Sequence, residues 1–157
     1  MSESDRDVES VERVIPAPPE KIFELLVYPE KHRQIDGSGS VKDPKGTTER
    51  LKLGSKFGMH MKILVPYSME STVIEFDEGR RIAWQSRAPG FGRHLGGGRI
   101  WRYELEPVDG GTRVRESWDI SEEVAASKWL VGLEGSRKRT RESMAKTLER
   151  IEELVKE

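Results

Sequence analysis

Two short alternating segments hold the side chains best placed to do chemistry in an apolar setting. From Thr112 to Ile120, Val114, Glu116 and Trp118 share one face, while Arg113 and Arg115 share the other. From Arg99 to Glu106, Trp101, Tyr103 and Leu105 lie opposite Arg102 and Glu104. Between them stands Pro107-Val108-Asp109-Gly110-Gly111. If Asp109-Gly110 forms the two-residue turn that such a pair favours, Leu105 faces Val114, Tyr103 faces Glu116 and Trp101 faces Trp118. A turn one residue longer or shorter would set apolar positions against outward ones. Glu116 is thereby expected on an inward face beside a phenol, and a buried ionised carboxylate is costly unless paired. The pair can orient the polar end of a ligand, or act as an acid/base pair if burial raises the carboxyl's pKa. It can also be structural, a rim glutamate paired with an arginine or bonded to Tyr103 with no ligand.

Other chemistries find less support. His32, His60 and His94 have neither H-x-H nor H-E-x-x-H spacing, and the chain has no cysteine, so no metal site is expected and the histidines read as solvent-exposed. There is no G-x-S-x-G nucleophile elbow. The run Gly90-Phe91-Gly92-Arg93-His94-Leu95-Gly96-Gly97-Gly98 matches no phosphate-binding glycine pattern. It reads as a mobile connection, or as a gate with Phe91 or Leu95 as plug. Arg137-Lys138-Arg139-Thr140-Arg141 has the charge for an acidic headgroup or nucleic acid, but Glu122, Glu123 and Glu134 are near enough in sequence to make it a solvated, balanced face. A formal net charge of -1 argues against a general polyanion binder, and no nucleic-acid partner is expected. The opening MSESDRDVES is acidic, unlike a secretory leader, and no apolar run approaches the ~20 residues that span a bilayer. A cytoplasmic chain with no membrane span, no cofactor and no obligate protein partner is the expectation.

The elements that must position Glu116 and Tyr103 follow from periodicity. Residues 1–7 are expected to form a disordered tail, and 8–157 a single domain large enough to bury about two-thirds of its unfolded surface. Val8 to Ile15 reads as a strand ended by Pro16-Ala17-Pro18-Pro19. A proline-led helix carries Ile22, Phe23, Leu25 and Leu26, and Glu30 to Ile35 adds a short helical turn. Asp36 to Ser40 reads as loop, and period-two alternation begins after Thr48. Phe57, Met59, Met61, Ile63 and Val65 then share a face. Pro66-Tyr67 interrupts, Met69 to Phe76 resumes, and Arg81 to Arg87 puts Ile82 and Trp84 together. Glu122 to Leu133 reads as a helix, followed by a long one over 136–156. The stripe of that last helix, Met144, Leu148, Ile151 and Val155, widened by Leu154, can seal a core. Continued backwards it meets Arg137, Thr140 and Arg141, so the helix's first half is expected at the wet end of a cavity.

This order resembles the helix-grip superfamily of START domains, polyketide cyclase/dehydrase proteins and pathogenesis-related plant allergens. Val14-Ile15-Pro16-Ala17-Pro18-Pro19-Glu20-Lys21-Ile22-Phe23 is similar to the family's opening strand-to-helix signature. Ser71 to Asp77 with Arg80 to Trp84 resembles its central hairpin, Trp101 to Val114 its last hairpin, and Met144 to Ile151 its closing helix. The resemblance implies an α+β helix-grip fold. A curved antiparallel β-sheet wraps a long C-terminal α-helix, with two short helices after the first strand and a hydrophobic cavity inside. It implies binding of a small hydrophobic or amphipathic molecule, lipid or polyketide-like, and the chain looks like the small bacterial members. Met59, Met61, Ile63, Val73, Trp84, Trp101, Tyr103 and Trp118 would line the sheet side and Met144 and Leu148 the helix side, with Glu116 as polar anchor; by patterning alone the tryptophans, methionines and Ile63 read equally as a filled core. Two alternatives stay open: a cyclase or dehydratase using Glu116 and Tyr103 for proton transfer, and a protein-interaction module with no small-molecule ligand.

Overall fold

In a computed structural model, residues 7–37, 41–46, 49–62, 66–90 and 96–156 are described. Seven strands among them form one antiparallel sheet: β1 (Val8–Ile15), β2 (Val41–Gly46), β3 (Lys56–Lys62), β4 (Pro66–Asp77), β5 (Arg81–Arg87), β6 (Gly97–Val108) and β7 (Gly111–Asp119), in the order β1-β7-β6-β5-β4-β3-β2. Each neighbour from β2 to β7 is the next strand in sequence, and β1 closes the far edge against β7. The helices are α1 (Pro19–Leu26), a 3-10 turn (Pro29–Lys31), α2 (His32–Ile35), α3 (Ala125–Val131) and α4 (Glu134–Lys156). This is the helix-grip architecture, with α4 lying on the inner face of the sheet.

The β6–β7 register is the one the Asp109-Gly110 turn requires: Leu105 opposes Val114, Tyr103 opposes Glu116 and Trp101 opposes Trp118. Gly110 takes φ +86°, a left-handed value that a side chain disfavours. Across the outer face charges alternate from strand to strand. Asp77, Arg81, Glu104, Arg115 and Glu12 stand opposite one another in turn, an arrangement that favours this register over its neighbours.

Two expectations change and one strand is added. Pro66-Tyr67 does not interrupt a strand but begins β4, where a proline is tolerated because a strand's first residue can do without a ladder donor. Residues 41–46 form β2, which carries a proline and two lysines and shows no alternation; its place at the sheet edge explains why such a sequence is acceptable there. The helix expected over 122–133 is shorter, Ala125–Val131, because Glu123 is committed to other bonds described below.

The long helix spans Glu134–Lys156 and buries Met144, Thr147, Leu148, Ile151 and Val155. Its C-terminal end is fixed by Lys21, whose ammonium donates to the Val155 carbonyl at 2.6 Å, where a cation also suits the helix dipole. Arg13 on β1 reaches Glu152 at 2.8 Å. At the other end, Arg137 and Arg141 bond to Glu9 at 3.4 and 3.1 Å, Arg141 also takes Glu134 at 2.7 Å, and Arg137 lies 3.8 Å from Asp7. The basic run is thus balanced partly by the first strand. Of the acids expected to do this, only Glu134 takes part, since Glu123 pairs with Arg99.

Candidate functional site

The inner face carries a row of three tryptophans, Trp84, Trp101 and Trp118, directly opposite one another on β5, β6 and β7. The next row places Ile82, Tyr103, Glu116 and Val11 side by side. The apolar interior is divided into two clusters. One contains Phe23, Phe57, Val73, Ile82, Trp84, Tyr103 and Leu148, and the other Trp118, Ile120 and Met144, with Val11 and Trp101 touching both. Glu116 lies at the seam, opposed by Tyr103 of the first cluster and two residues from Trp118 of the second.

Glu116 is only 2% exposed, and its Oε1 has no hydrogen-bond partner among the described residues. Burial pushes its carboxyl up to about 8; a hydrogen bond from Tyr103 opposes the shift, and the nearby charge of Asp36 adds to it. At neutral pH the group is therefore mostly a neutral acid. Burial likewise drives the Tyr103 phenol well above its usual range, assisted by Glu116 and then Asp36. Glu116 is therefore not a rim residue, and no arginine among the described residues pairs with it. Glu123 shows the contrast. Burial alone would raise its carboxyl too, but two bonds from Arg99, one from the Ser127 hydroxyl and one from the Gly97 amide hold it below the ordinary value.

His32 corrects an expectation. It is buried, its ring stacked on Trp84 with centroids 4.9 Å apart and meeting Phe57 edge-on at 5.4 Å. Burial lowers its pKa to about 4, against the opposing pull of the Leu26 carbonyl and Asp36. The neutral ring donates from Nε2 to the Leu26 carbonyl at 2.8 Å. Sequence reasoning missed it because it stands in a four-residue helix with no period to read. Asp36 was missed as well. It precedes Gly37, whose amide donates to Thr147 Oγ1 at 2.9 Å. A Cβ on Gly37 would lie 2.2 Å from the Ser143 carbonyl, so glycine alone permits this approach. The approach sets Asp36 near enough for its charge to act on Glu116 and Tyr103. Ser71 and Ser86, hydroxyl to hydroxyl at 2.8 Å, add a further buried polar pair on the same face.

Of the expected lining residues, Val73, Trp84, Tyr103, Glu116, Trp118, Met144 and Leu148 are buried and Trp101 partly so. Ile63, Phe91, His94 and Leu95 lie outside the described residues, as do the side chains of Met59, His60 and Met61. A depression of about 850 Å³ lies on the opposite, outer face, among Glu75, Arg81, Arg102, Glu104 and their neighbours. Its lining carries five arginines and five acids, so the charges balance, and several are paired: Arg102 with Glu75 at 2.5 Å, Arg81 with Glu104 at 2.9 Å and Arg113 with Glu106 at 3.1 Å. It offers a ligand little unmatched charge. Among the described residues no three His, Asp or Glu side chains converge as metal ligands would, and no helix is long and apolar enough to cross a membrane.

Comparison with known proteins agrees with this geometry. The model of a family described as "Polyketide cyclase / dehydrase and lipid transport" matches residues 8–156. The uncharacterized protein Rv0088 of Mycobacterium tuberculosis is 31% identical over 107 residues, which cover 67% of this chain and 44% of that protein. The chain thus matches less than half the length of this curated relative. Among solved structures, protein Ms6760 from Mycobacterium smegmatis superimposes with a TM-score of 0.70 at 16% identity, over 99% of this chain and 95% of that one. Protein MLL2253 from Mesorhizobium loti gives 0.69 at 15% identity, over 95% and 96%. At such identities the two structures speak for the fold alone.

Proposed function

The chain belongs to the polyketide cyclase / dehydrase and lipid transport family, and from that premise we propose that its interior binds a small amphipathic molecule, lipid or polyketide-like, whose polar group meets Glu116. One observation carries the reading: Glu116 Oε1 is buried in an apolar interior with no hydrogen-bond partner among the described residues. Buried polar atoms are nearly always partnered, and an orphan at the seam of two apolar clusters suits a ligand that spans both. A neutral acid donates through its hydroxyl and accepts through its carbonyl oxygen, so the matching group is a ketone, ester or hydroxyl. An anionic headgroup would oppose Asp36 and would meet no cation beside Glu116 among the described residues. The tryptophan row and the Trp84–His32–Phe57 aromatic group supply the apolar walls. The expected result is a saturable, one-to-one change in tryptophan emission on titration with long-chain ketones, alcohols or polyketide-like aromatics. Emission unchanged across that panel overturns the proposal.

The same pair favours a second reading, catalysis of cyclisation or dehydration. A carboxyl that stays protonated near neutral pH is suited to protonating a carbonyl or a departing hydroxyl, with Tyr103 orienting it. Glu116→Gln would then abolish turnover while ligand affinity stays within a few-fold. Turnover that survives the substitution removes Glu116 from the chemistry.

A further inference from the structure

Helix α3 buries none of its residues. Its solvent side is apolar without a break: Ala125, Ala126, Trp129 and Leu130 are exposed, and Leu133 continues the strip one turn on. Trp129 is 68% exposed, Leu130 54% and Leu133 52%, the most exposed tryptophan and leucines of the helical region. An outward tryptophan beside two outward leucines calls for an occupant. The three side chains present on the order of 300–400 Å² of apolar surface, about half or less of the roughly 800 Å² per partner of a stable protein interface. A second copy is too poorly held by such a strip, whereas a lipid headgroup region is not.

Charge points the same way. Between Ala125 and Arg141 stand five cations, Lys128, Arg137, Lys138, Arg139 and Arg141, against the anion Glu134; with Asp7 and Glu9 packed on them the patch keeps +2 in a chain whose net charge is -1. Lys128, Arg137 and Arg141 are held by Asp7, Glu9 and Glu134, but Lys138 and Arg139 are exposed at the start of α4, within two turns of Leu133. We propose that α3 and the first turns of α4 dock on an anionic lipid bilayer, Trp129, Leu130 and Leu133 entering the headgroup region and Lys138 and Arg139 contacting acidic headgroups. Tryptophan at the interface and basic residues just beside it are the composition such a surface selects.

The inner side of α3 connects this surface to the interior. Val131 packs on the cluster of Trp118, Ile120 and Met144. The Val124 amide donates to the Gly97 carbonyl at 2.8 Å, tying the start of α3 to the base of the glycine-rich connection. A docked α3 therefore sets the tryptophan end of the interior against the membrane. This rests on the proposed ligand-binding function for its purpose, since an amphipathic ligand would be collected from or delivered to the bilayer.

Flotation with vesicles of phosphatidylcholine plus phosphatidylglycerol, compared with phosphatidylcholine alone, tests the docking. The protein is expected to float with the mixed vesicles about tenfold more strongly than with the neutral ones, and to release as salt rises. Trp129→Glu should lose about tenfold on the mixed vesicles, and Lys138→Glu with Arg139→Glu should abolish the difference between the two. No flotation, or flotation unchanged in both variants, overturns the proposal, as does a wild-type dimer that Trp129→Glu dissociates in sedimentation equilibrium. Titration of a soluble long-chain ketone without vesicles separates the two ideas. Wild type and Trp129→Glu should bind it alike, and a failure there with intact flotation overturns the ligand and leaves the docking.

Discussion

Glu116 and His32 give the protein a pH signature that belongs to individual residues. Glu116 has a folded pKa of about 8 against an ordinary 4.5. Between those values the folded state holds a proton that the unfolded state has lost, so stability falls as pH rises through that range. His32 does the reverse. With a folded pKa of about 4 against 6.5, the unfolded state binds the extra proton between those values, and stability rises with pH there. The two slopes oppose each other between 4.5 and 6.5, and above that range Glu116 alone remains. Glu116→Gln should therefore unfold at higher denaturant than wild type at pH 8–9, by on the order of a few kcal/mol, and differ little at pH 4. Denaturant titrations at several pH values measure this; identical curves at high pH would mean that Glu116 ionises freely in the folded protein. Sequence patterning placed Glu116 inward and opposite Tyr103 because period two and a two-residue turn leave little choice. It misplaced His32 and passed over Asp36 because neither belongs to a periodic element, and their neighbours come from α4 and β5, distant in the chain.

At the scale of elements, the interior depends on how closely α2 approaches α4. Gly37 is the point of contact, and Gly37→Ala must displace the Ser143 carbonyl or move the loop. A loss of about 1–3 kcal/mol or more is expected by urea unfolding. An unchanged midpoint would show that the approach is not constrained. The long helix was the most legible element, its buried stripe from Met144 to Val155 being written in three- and four-residue steps. Its first half reads as unable to enter a core, and the structure shows why: Arg137 and Arg141 are held by Glu9 on β1, an ion-pair partner that no local pattern reveals. The β2 strand was illegible for a related reason, since an edge strand needs no alternation to be paired.

For the whole molecule, a sheet of charge-alternating outer face and aromatic inner face encloses one orphan carboxyl oxygen among the described residues, and two exposed cations, Lys138 and Arg139, follow its most exposed tryptophan. The first feature points inward to a ligand and the second outward to a surface where such ligands reside. The direct test of the ligand is a comparison of polar and apolar chains of equal length. Wild-type protein should bind a long-chain 2-alkanone about tenfold more tightly than the matching alkane, the worth of roughly one hydrogen bond to a buried acid. That preference should fade above pH 8, as Glu116 ionises and can no longer donate, and disappear in Glu116→Leu, which should still bind the alkane. Equal affinity for ketone and alkane in wild type, or a preference that persists in Glu116→Leu, would contradict the assignment of Glu116 as the anchor.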